Sequence, residues 1–401
     1  MQKARIIWSN FMQPKTSVKL EQDACQRILR TAAMKSKAAR MRKQNSVYAA
    51  EIPQEIGIQL TYRCNLRCKH CFQWNEKGFF KEETKSVGKV DLDLQVIEKA
   101  LKETSKNKAN LYLWGGEPLV HRKWEDICNL LESDPRWTVL CTNGLLIEEK
   151  LASICRISPN LAMLVSIDGL ARHHDAIRGK GTFDRIVKNI NLLLSLHKKG
   201  VYKGRVSVNC VINQHVVGHL YDFVSYFEKM EIDTVYLCFP WYIPERICKS
   251  MDTFVQSKFP RLKLDSEVRK PSWYSYSFHL DPEHLDILKA EIDKLLSREW
   301  NIRIRLQPAV ELDELEDFIS GTEQTAQNRS QCLAISNRMD ILADGQISTC
   351  KLFPEFSIGD LYSNGVVDLW NNQQFQDFRR VISEELMPVC SKCVLLYLNG
   401  Q

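Results

Sequence analysis

The stretch YRCNLRCKHC, Tyr62 to Cys71, sets Cys64, Cys68 and Cys71 in a C-x3-C-x2-C pattern directly after an apolar run. Three thiols on one loop pose a ligand problem. A structural zinc site takes four ligands, and the local candidate for a fourth is His70. An iron–sulfur cubane held by three cysteines instead keeps one iron free of protein ligands, open to a small molecule. The triplet alone leaves both readings open, and its surroundings decide.

Outward from it, from residue 56, short apolar runs alternate with amphipathic stretches. IGIQLTY (56–62), LYLW (111–114), WTVLCT (137–142), LAMLVSI (161–167), RVSVNCVI (205–212) and TVYLCF (234–239) read as strands. Between them, segments such as WEDICNLLES and FDRIVKNINLLLSLHKK carry apolar residues at helical spacing. Six β/α repeats predict an α/β fold with a parallel sheet and right-handed crossovers. Ligand chemistry then belongs at the C-terminal ends of the strands, and the motifs gather there. The cysteine triplet follows the first strand, GGEP (Gly115–Pro118) the second, TNG (Thr142–Gly144) the third and SIDG (Ser166–Gly169) the fourth, with Arg178 beyond.

In this order the motifs of residues 56–239 resemble the radical S-adenosylmethionine (SAM) superfamily, which implies a partial (β/α)6 TIM-type barrel. The resemblance implies a SAM-binding [4Fe-4S] cluster on Cys64, Cys68 and Cys71, and SAM contacts from His70, Phe72, Gly115, Gly116, Glu117, Asn143, Ser166, Asp168 and Arg178. One injected electron then cleaves SAM, and the resulting 5′-deoxyadenosyl radical takes a substrate hydrogen. The residue types suit these roles. Gly115 and Gly116 admit close backbone approach, Glu117 can accept from an ammonium group, and the Arg178 fork suits a carboxylate, with Ser166 able to add a bond. His70 and Phe72 would flank the adenine.

Four more thiols lie near the C-terminus: Cys332, Cys350, Cys390 and Cys393. They could ligate one zinc ion or one cluster completely. Beside such a barrel, C-x12-G-x4-C followed by C-x2-C resembles a twitch or SPASM-like domain with one auxiliary [4Fe-4S] cluster. Its hairpin, MDILADGQIST, carries an Asp344-Gly345 pair suited to a two-residue type I′ turn. Four regions result: a basic extension (1–50), the barrel (51–239), a bridging segment that covers the sheet and shapes a substrate pocket (240–331), and the auxiliary-cluster domain (332–401).

A coordinatively full auxiliary cluster suits electron transfer, so the expected enzyme is an oxidoreductase acting on a small polar molecule. A peptide maturase making a crosslink or an oxidised residue is the alternative. Relatives that oxidise peptides often place an acid directly after the hairpin cysteine, where this chain has Lys351. Glu355 is the nearest carboxylate, and the base is unassigned. Cys238, at the end of the sixth strand on one face with Tyr236, could return a hydrogen atom and make the reaction a redox-neutral epimerisation. A zinc-stabilised scaffold is the non-enzyme reading. Cys25, Cys128, Cys141, Cys155, Cys210 and Cys248 read as core thiols.

The chain of 401 residues has 44% hydrophobic residues, 14 cysteines and a net charge of +6. No run reaches the ~18 apolar residues of a membrane span, and no signal-peptide pattern opens the chain. A reducing cytoplasm is the expected compartment, with a flavodoxin or ferredoxin-type electron donor. The acid-free run between Cys25 and Ala50 reads as a solvated helix face or frayed arm; it lacks the interleaved aromatics that would point to nucleic acid.

Overall fold

The two-residue alternation of the apolar runs becomes the two faces of one sheet. The computed structural model describes residues 13–81, 87–262, 264 and 270–400. The first twelve residues of the basic extension, and residues 265–269 of the bridging segment, lie outside the described residues. In chain order the elements are β1 (Lys15–Thr16), α1 (Gln22–Gln44), β2 (Glu55–Gln59), α2 (Leu94–Glu103), β3 (Asn110–Trp114), α3 (Trp124–Ser133), β4 (Thr138–Thr142) and α4 (Leu151–Ile157). There follow β5 (Leu161–Ser166), α5 (Ala171–Arg178), α6 (Thr182–Lys198), β6 (Arg205–Val211), α7 (Leu220–Lys229), β7 (Thr234–Cys238), α8 (Glu245–Lys258) and α9 (Leu285–Leu296). Strands β8 (Glu299–Trp300), β9 (Arg303–Gln307), β10 (Arg338–Ile341), β11 (Gln346–Ser348) and β12 (Ser357–Asp360) follow, with helices α10 (Leu315–Ser320) and α11 (Ala334–Asn337) between β9 and β10, and α12 (Val366–Trp370), α13 (Gln373–Glu384) and α14 (Val394–Asn399) after β12.

Ten strands form one sheet in the order β12-β11-β10-β2-β3-β4-β5-β6-β7-β9. Every neighbouring pair from β10 to β9 is parallel. The six expected strands are all present as a partial barrel, and the sheet grows beyond them at both edges. Strand β9, from the bridging segment, pairs with β7; β10, the first arm of the C-terminal hairpin, pairs with β2. Gly57 makes the second junction possible: a Cβ there would sit 1.9 Å from Asp340 Oδ1 and 2.2 Å from Arg338 Nη2.

One face of each strand is apolar and packs under the helices: Ile56, Ile58, Leu111, Leu113, Met163, Val165, Val206, Val208, Val235 and Leu237 are all buried in one core. The other face turns inward and is mixed, with aliphatic Val139, Leu164 and Val211 beside Tyr112, Cys141, Ser166, Asn209, Tyr236 and Cys238. Barrel interiors built only for stability are filled with branched aliphatics. Here the lumen is left open and carries a few polar groups among apolar ones, as a ligand chamber does.

Two features differ from the sequence reading, and a third was not anticipated by it. The basic run is helical, as α1, but it is docked: Ala38 and Ala39 pack with Leu333, and buried Arg42 donates to Ser336 Oγ at 3.2 Å and to Ser383 Oγ. It is neither a frayed arm nor solvated all round. The hairpin does not turn on two residues of positive φ. Gly345 alone has φ +83°, with Gly345 N bonded to Leu342 O at 2.9 Å and Leu342 N to Gln346 O at 2.8 Å. That is the three-residue type I turn with a glycine bulge, and a Cβ on Gly345 would strike the Tyr362 ring at 2.4 Å. Lastly, the outer edge of β9 is covered by Gln13, whose side-chain amide bonds Leu306 O at 3.2 Å and Leu306 N at 3.1 Å. Open edges are commonly protected in this way.

Candidate active site

The cysteine loop leaves β2 and is seated by the loop after β3. Gly116 N donates to Thr61 O and Glu117 N to Arg63 O, both at 2.8 Å. A Cβ on Gly116 would lie 2.1 Å from Arg63 O, and one on Gly115 2.5 Å from Thr61 O. The glycines thus admit this chain's own backbone, a use the sequence reading had reserved for a ligand. Leu66 N donates to Cys64 Sγ at 3.4 Å, and Arg178 Nη1 to Cys68 Sγ at 3.7 Å. Burial pushes the thiols up, Cys64 to about 12 and Cys68 to about 11. A bound metal centre, which holds such groups as thiolates, offsets that cost.

Two buried carboxylates organise the strand ends. Glu117 accepts from Thr142 Oγ1 (2.6 Å), Asn143 N (2.6 Å) and Leu119 N (3.1 Å). A carboxylate has about four acceptor sites, so one remains for a ligand donor. Asn143 Nδ2 reaches back to Asn65 Oδ1 in the cysteine loop at 2.7 Å. Asp168 accepts from Arg178 Nε (2.6 Å) and Val211 N (2.9 Å) and shares 2.6 Å with His70 Nε2. Burial alone would raise the Asp168 carboxyl, but Arg178 and His70 outweigh it and hold it well below the usual carboxylate range. The Arg178 fork is thus turned to Asp168 and Cys68. His70 is edge-on to Phe278 (5.6 Å), while Phe72 stacks on Tyr276 with centroids 4.6 Å apart.

Most of these groups open on one chamber of about 580 Å³; Asp168, expected to contact SAM, is fully buried and does not line it. Cys64, Cys68, Cys71, His70, Phe72, Gly115, Gly116, Glu117, Asn143, Ser166, Arg178 and Cys238 all line it. Cys238 Sγ donates to Asn209 Oδ1 at 2.9 Å and lies 3.4 Å from Gln307 Oε1. Burial raises this thiol. Cys141, expected in the core, lines the chamber as well; the alternation of β4, with Leu140 buried beneath helices, places it there and was readable in the sequence. Lys351 also lines the chamber, where burial and nearby Arg338 lower its ammonium to about 8. Glu355 is used elsewhere, accepting from Ser272 N at 2.6 Å and Ser272 Oγ at 2.7 Å.

The second thiol set converges too. Cys332, Cys350, Cys390 and Cys393 line one cavity of about 40 Å³. Burial pushes all four up, Cys393 to about 12. Tetrahedral zinc at ~2.3 Å from each sulfur needs thiolates roughly 3.8 Å apart. Among the described residues, the His, Cys, Asp and Glu triplet whose ligand atoms lie within 4.8 Å of one another is Asp281, Glu283 and His284, and the four thiols stand wider. As placed, the four thiols line one cavity without being drawn in to the spacing of a single tetrahedral ion.

The radical SAM superfamily model matches residues 58–214, and the SPASM iron–sulfur cluster-binding domain matches residues 332–394. The chain belongs to the radical SAM superfamily. As a radical SAM protein with a C-terminal SPASM domain it uses SAM and two iron–sulfur clusters. It is 23% identical over 357 residues to the serine-type anaerobic sulfatase-maturating enzyme of Bacteroides thetaiotaomicron, covering 84% of this chain and 79% of that one. It is 27% identical over 183 residues to the mycofactocin maturase MftC of Mycobacterium ulcerans, covering 44% of this chain and 45% of the maturase. The crystal structure of Streptococcus suis SuiB bound to precursor peptide SuiA shares the fold, with a TM-score of 0.58 at 16% identity over 91% of this chain and 74% of that one. No helix among the described residues is long and apolar enough to cross a membrane.

Proposed function

We propose that this radical SAM protein oxidises a peptide or protein side chain, removing two hydrogens in separate one-electron steps. The observation that carries the reading is the continuity of the chamber, which is lined at one end by Cys64, Cys68 and Cys71 and at the other by Lys351 and Leu352, directly after Cys350. When bound, the SAM-loaded cluster supplies the radical that removes a hydrogen atom, and the auxiliary cluster supplies an acceptor for the second electron. The chain's own part is placement. Gly115 and Gly116 fix the cysteine loop, Glu117 keeps one acceptor site for an ammonium group, and the rings of Phe72, Trp241 and Tyr276 wall the space between the two thiol sets.

The sequence favoured a small polar molecule. The relatives move the proposal to a peptide, since one matures sulfatases and the SuiB structure holds a precursor peptide. A redox-neutral outcome is the second reading, favoured by the Cys238 thiol in the same chamber. The test supplies anaerobically reconstituted enzyme, SAM and reductant with the peptides encoded beside its gene, and separately with sugars and polyols. A peptide that loses two hydrogens while 5′-deoxyadenosine forms supports the proposal. Turnover confined to the small molecules overturns it.

A further inference from the structure

We propose that Lys351 is the anchor for a carboxylate of the substrate, so that the hydrogen removed lies close to an acidic side chain or to a free C-terminus. Lys351 follows Cys350 and turns into the chamber over the end of β3, its Nζ 4.2 Å from the centre of the Tyr112 ring and 5.3 Å from that of Trp114. Trp114 leads directly into Gly115 and Gly116. The ammonium therefore stands over the lip of the proposed SAM site and beside the second thiol set.

What singles it out is the absence, among the described residues, of a carboxylate in contact with it: Asp340 acts on it only from a distance, its oxygens held by Arg338. The other cations of the chamber wall are engaged: Arg178 with Asp168 at 2.6 Å, Arg338 with Asp340 at 2.6 Å and Glu55 at 3.6 Å, and Lys35 with the Leu398 carbonyl. Among the described residues Lys351 forms no ion pair. Neither acid of the chamber wall pairs with it: Glu55 faces Arg338, and Glu117 accepts from Thr142, Asn143 and Leu119, its remaining acceptor site being the one proposed for the ammonium group of SAM. Aromatic faces are weaker partners for a cation than a carboxylate in a water-poor site. A ligand carboxylate would complete the arrangement with a charge-assisted hydrogen bond.

The competing role is internal: Lys351 could balance negative charge in the cysteine pocket beside it. Equilibrium dialysis of SAM-loaded holoenzyme separates the two. The probes are N-acetyl tetrapeptide amides that differ only in Glu against Gln, the Gln peptide with a free C-terminal carboxylate, and glutarate as a non-peptide diacid. The expected result is about tenfold or stronger preference for one carboxylate-bearing peptide over the neutral amide, as one charge-assisted bond provides. The Glu and free-terminus arms show which carboxylate is taken. Lys351→Met should erase the preference and Lys351→Arg should keep part of it. Equal binding of acid and amide by the wild type, or an undiminished preference in Lys351→Met, overturns the anchor. The choice of peptide probes rests on the proposed function, but the outcomes separate. Lys351-dependent binding of glutarate with no peptide bound leaves the anchor standing and sinks the peptide reading, whereas oxidation of peptides with no acid preference does the reverse.

Discussion

Arg178 donates its Nε–H to the Asp168 carboxylate at 2.6 Å, with both side chains shielded from solvent. The pair joins the strand-end motif after β5 to the cysteine loop, because the same guanidinium reaches Cys68 Sγ at 3.7 Å.

Asp168→Asn keeps the shape and removes the charge, leaving Arg178 buried without its partner. Breaking a buried pair from one side costs about 3–5 kcal/mol, so the urea midpoint should fall sharply and iron retention by the cysteine loop with it. The carboxyl is held low in the folded protein. Its contribution is therefore complete above the unfolded value of ~3.9 and is lost as pH falls below that toward the folded value. A variant as stable as wild type at neutral pH would show that the pair does not hold the loop.

His174 gives a second, separable pH effect. It is fully buried, its Nδ1 accepts Asp168 N at 3.2 Å, and burial lowers it to about 4. The unfolded chain binds this proton near pH ~6.5, so stability falls as pH drops from there toward the folded value, by about 2 kcal/mol between pH 7 and pH 5. Denaturant curves at the two pH values should show that loss in wild type and a smaller one in His174→Gln. Equal losses in both would assign the acid sensitivity to other groups.

The strands were legible because alternation is a local property: Tyr236 and Cys238 face the chamber and Leu237 is buried, as the two-residue period requires. The cysteines were legible through spacing. Long-range partners were not. Glu355 is taken by Ser272, 83 residues away, and the docked face of α1 consists of Ala38, Ala39 and Arg42, too weakly apolar to announce burial. The turn of the C-terminal hairpin was misread because Asp-Gly suits two turn types, and only the Leu342 to Gln346 pairing distinguishes them. Lys351 was seen as a departure from an acidic pattern, but its direction into the chamber depends on the bend after β11.

The two thiol sets should fail differently. Alanine at Cys64, Cys68 or Cys71 should abolish 5′-deoxyadenosine formation, and the triple variant should keep about half the iron if each set holds one [4Fe-4S] cluster. Cys350→Ala should retain SAM cleavage and lose the oxidised product. Fully reconstituted wild type with iron for a single cluster would remove the auxiliary site from the proposal.

Cys238 decides between oxidation and hydrogen return. Its thiol lines the chamber and donates to Asn209 Oδ1 at 2.9 Å, while burial holds it protonated. A thiol in that state can give up a hydrogen atom, which is the chemistry an epimerase needs. The oxidative reading makes a definite demand of it. Product formed in deuterated water should carry no solvent hydrogen at the reacting carbon, and Cys238→Ala should yield the same oxidised product. Because the substitution leaves only a small cavity beside Asn209 and Gln307, a stability loss of about 1–2 kcal/mol is expected, which thermal unfolding measures separately from turnover. Deuterium in the wild-type product, together with a Cys238→Ala variant that still releases 5′-deoxyadenosine but makes no product, would replace the oxidase with a redox-neutral enzyme. In that case the electron acceptor at the second thiol set would serve some step other than product formation.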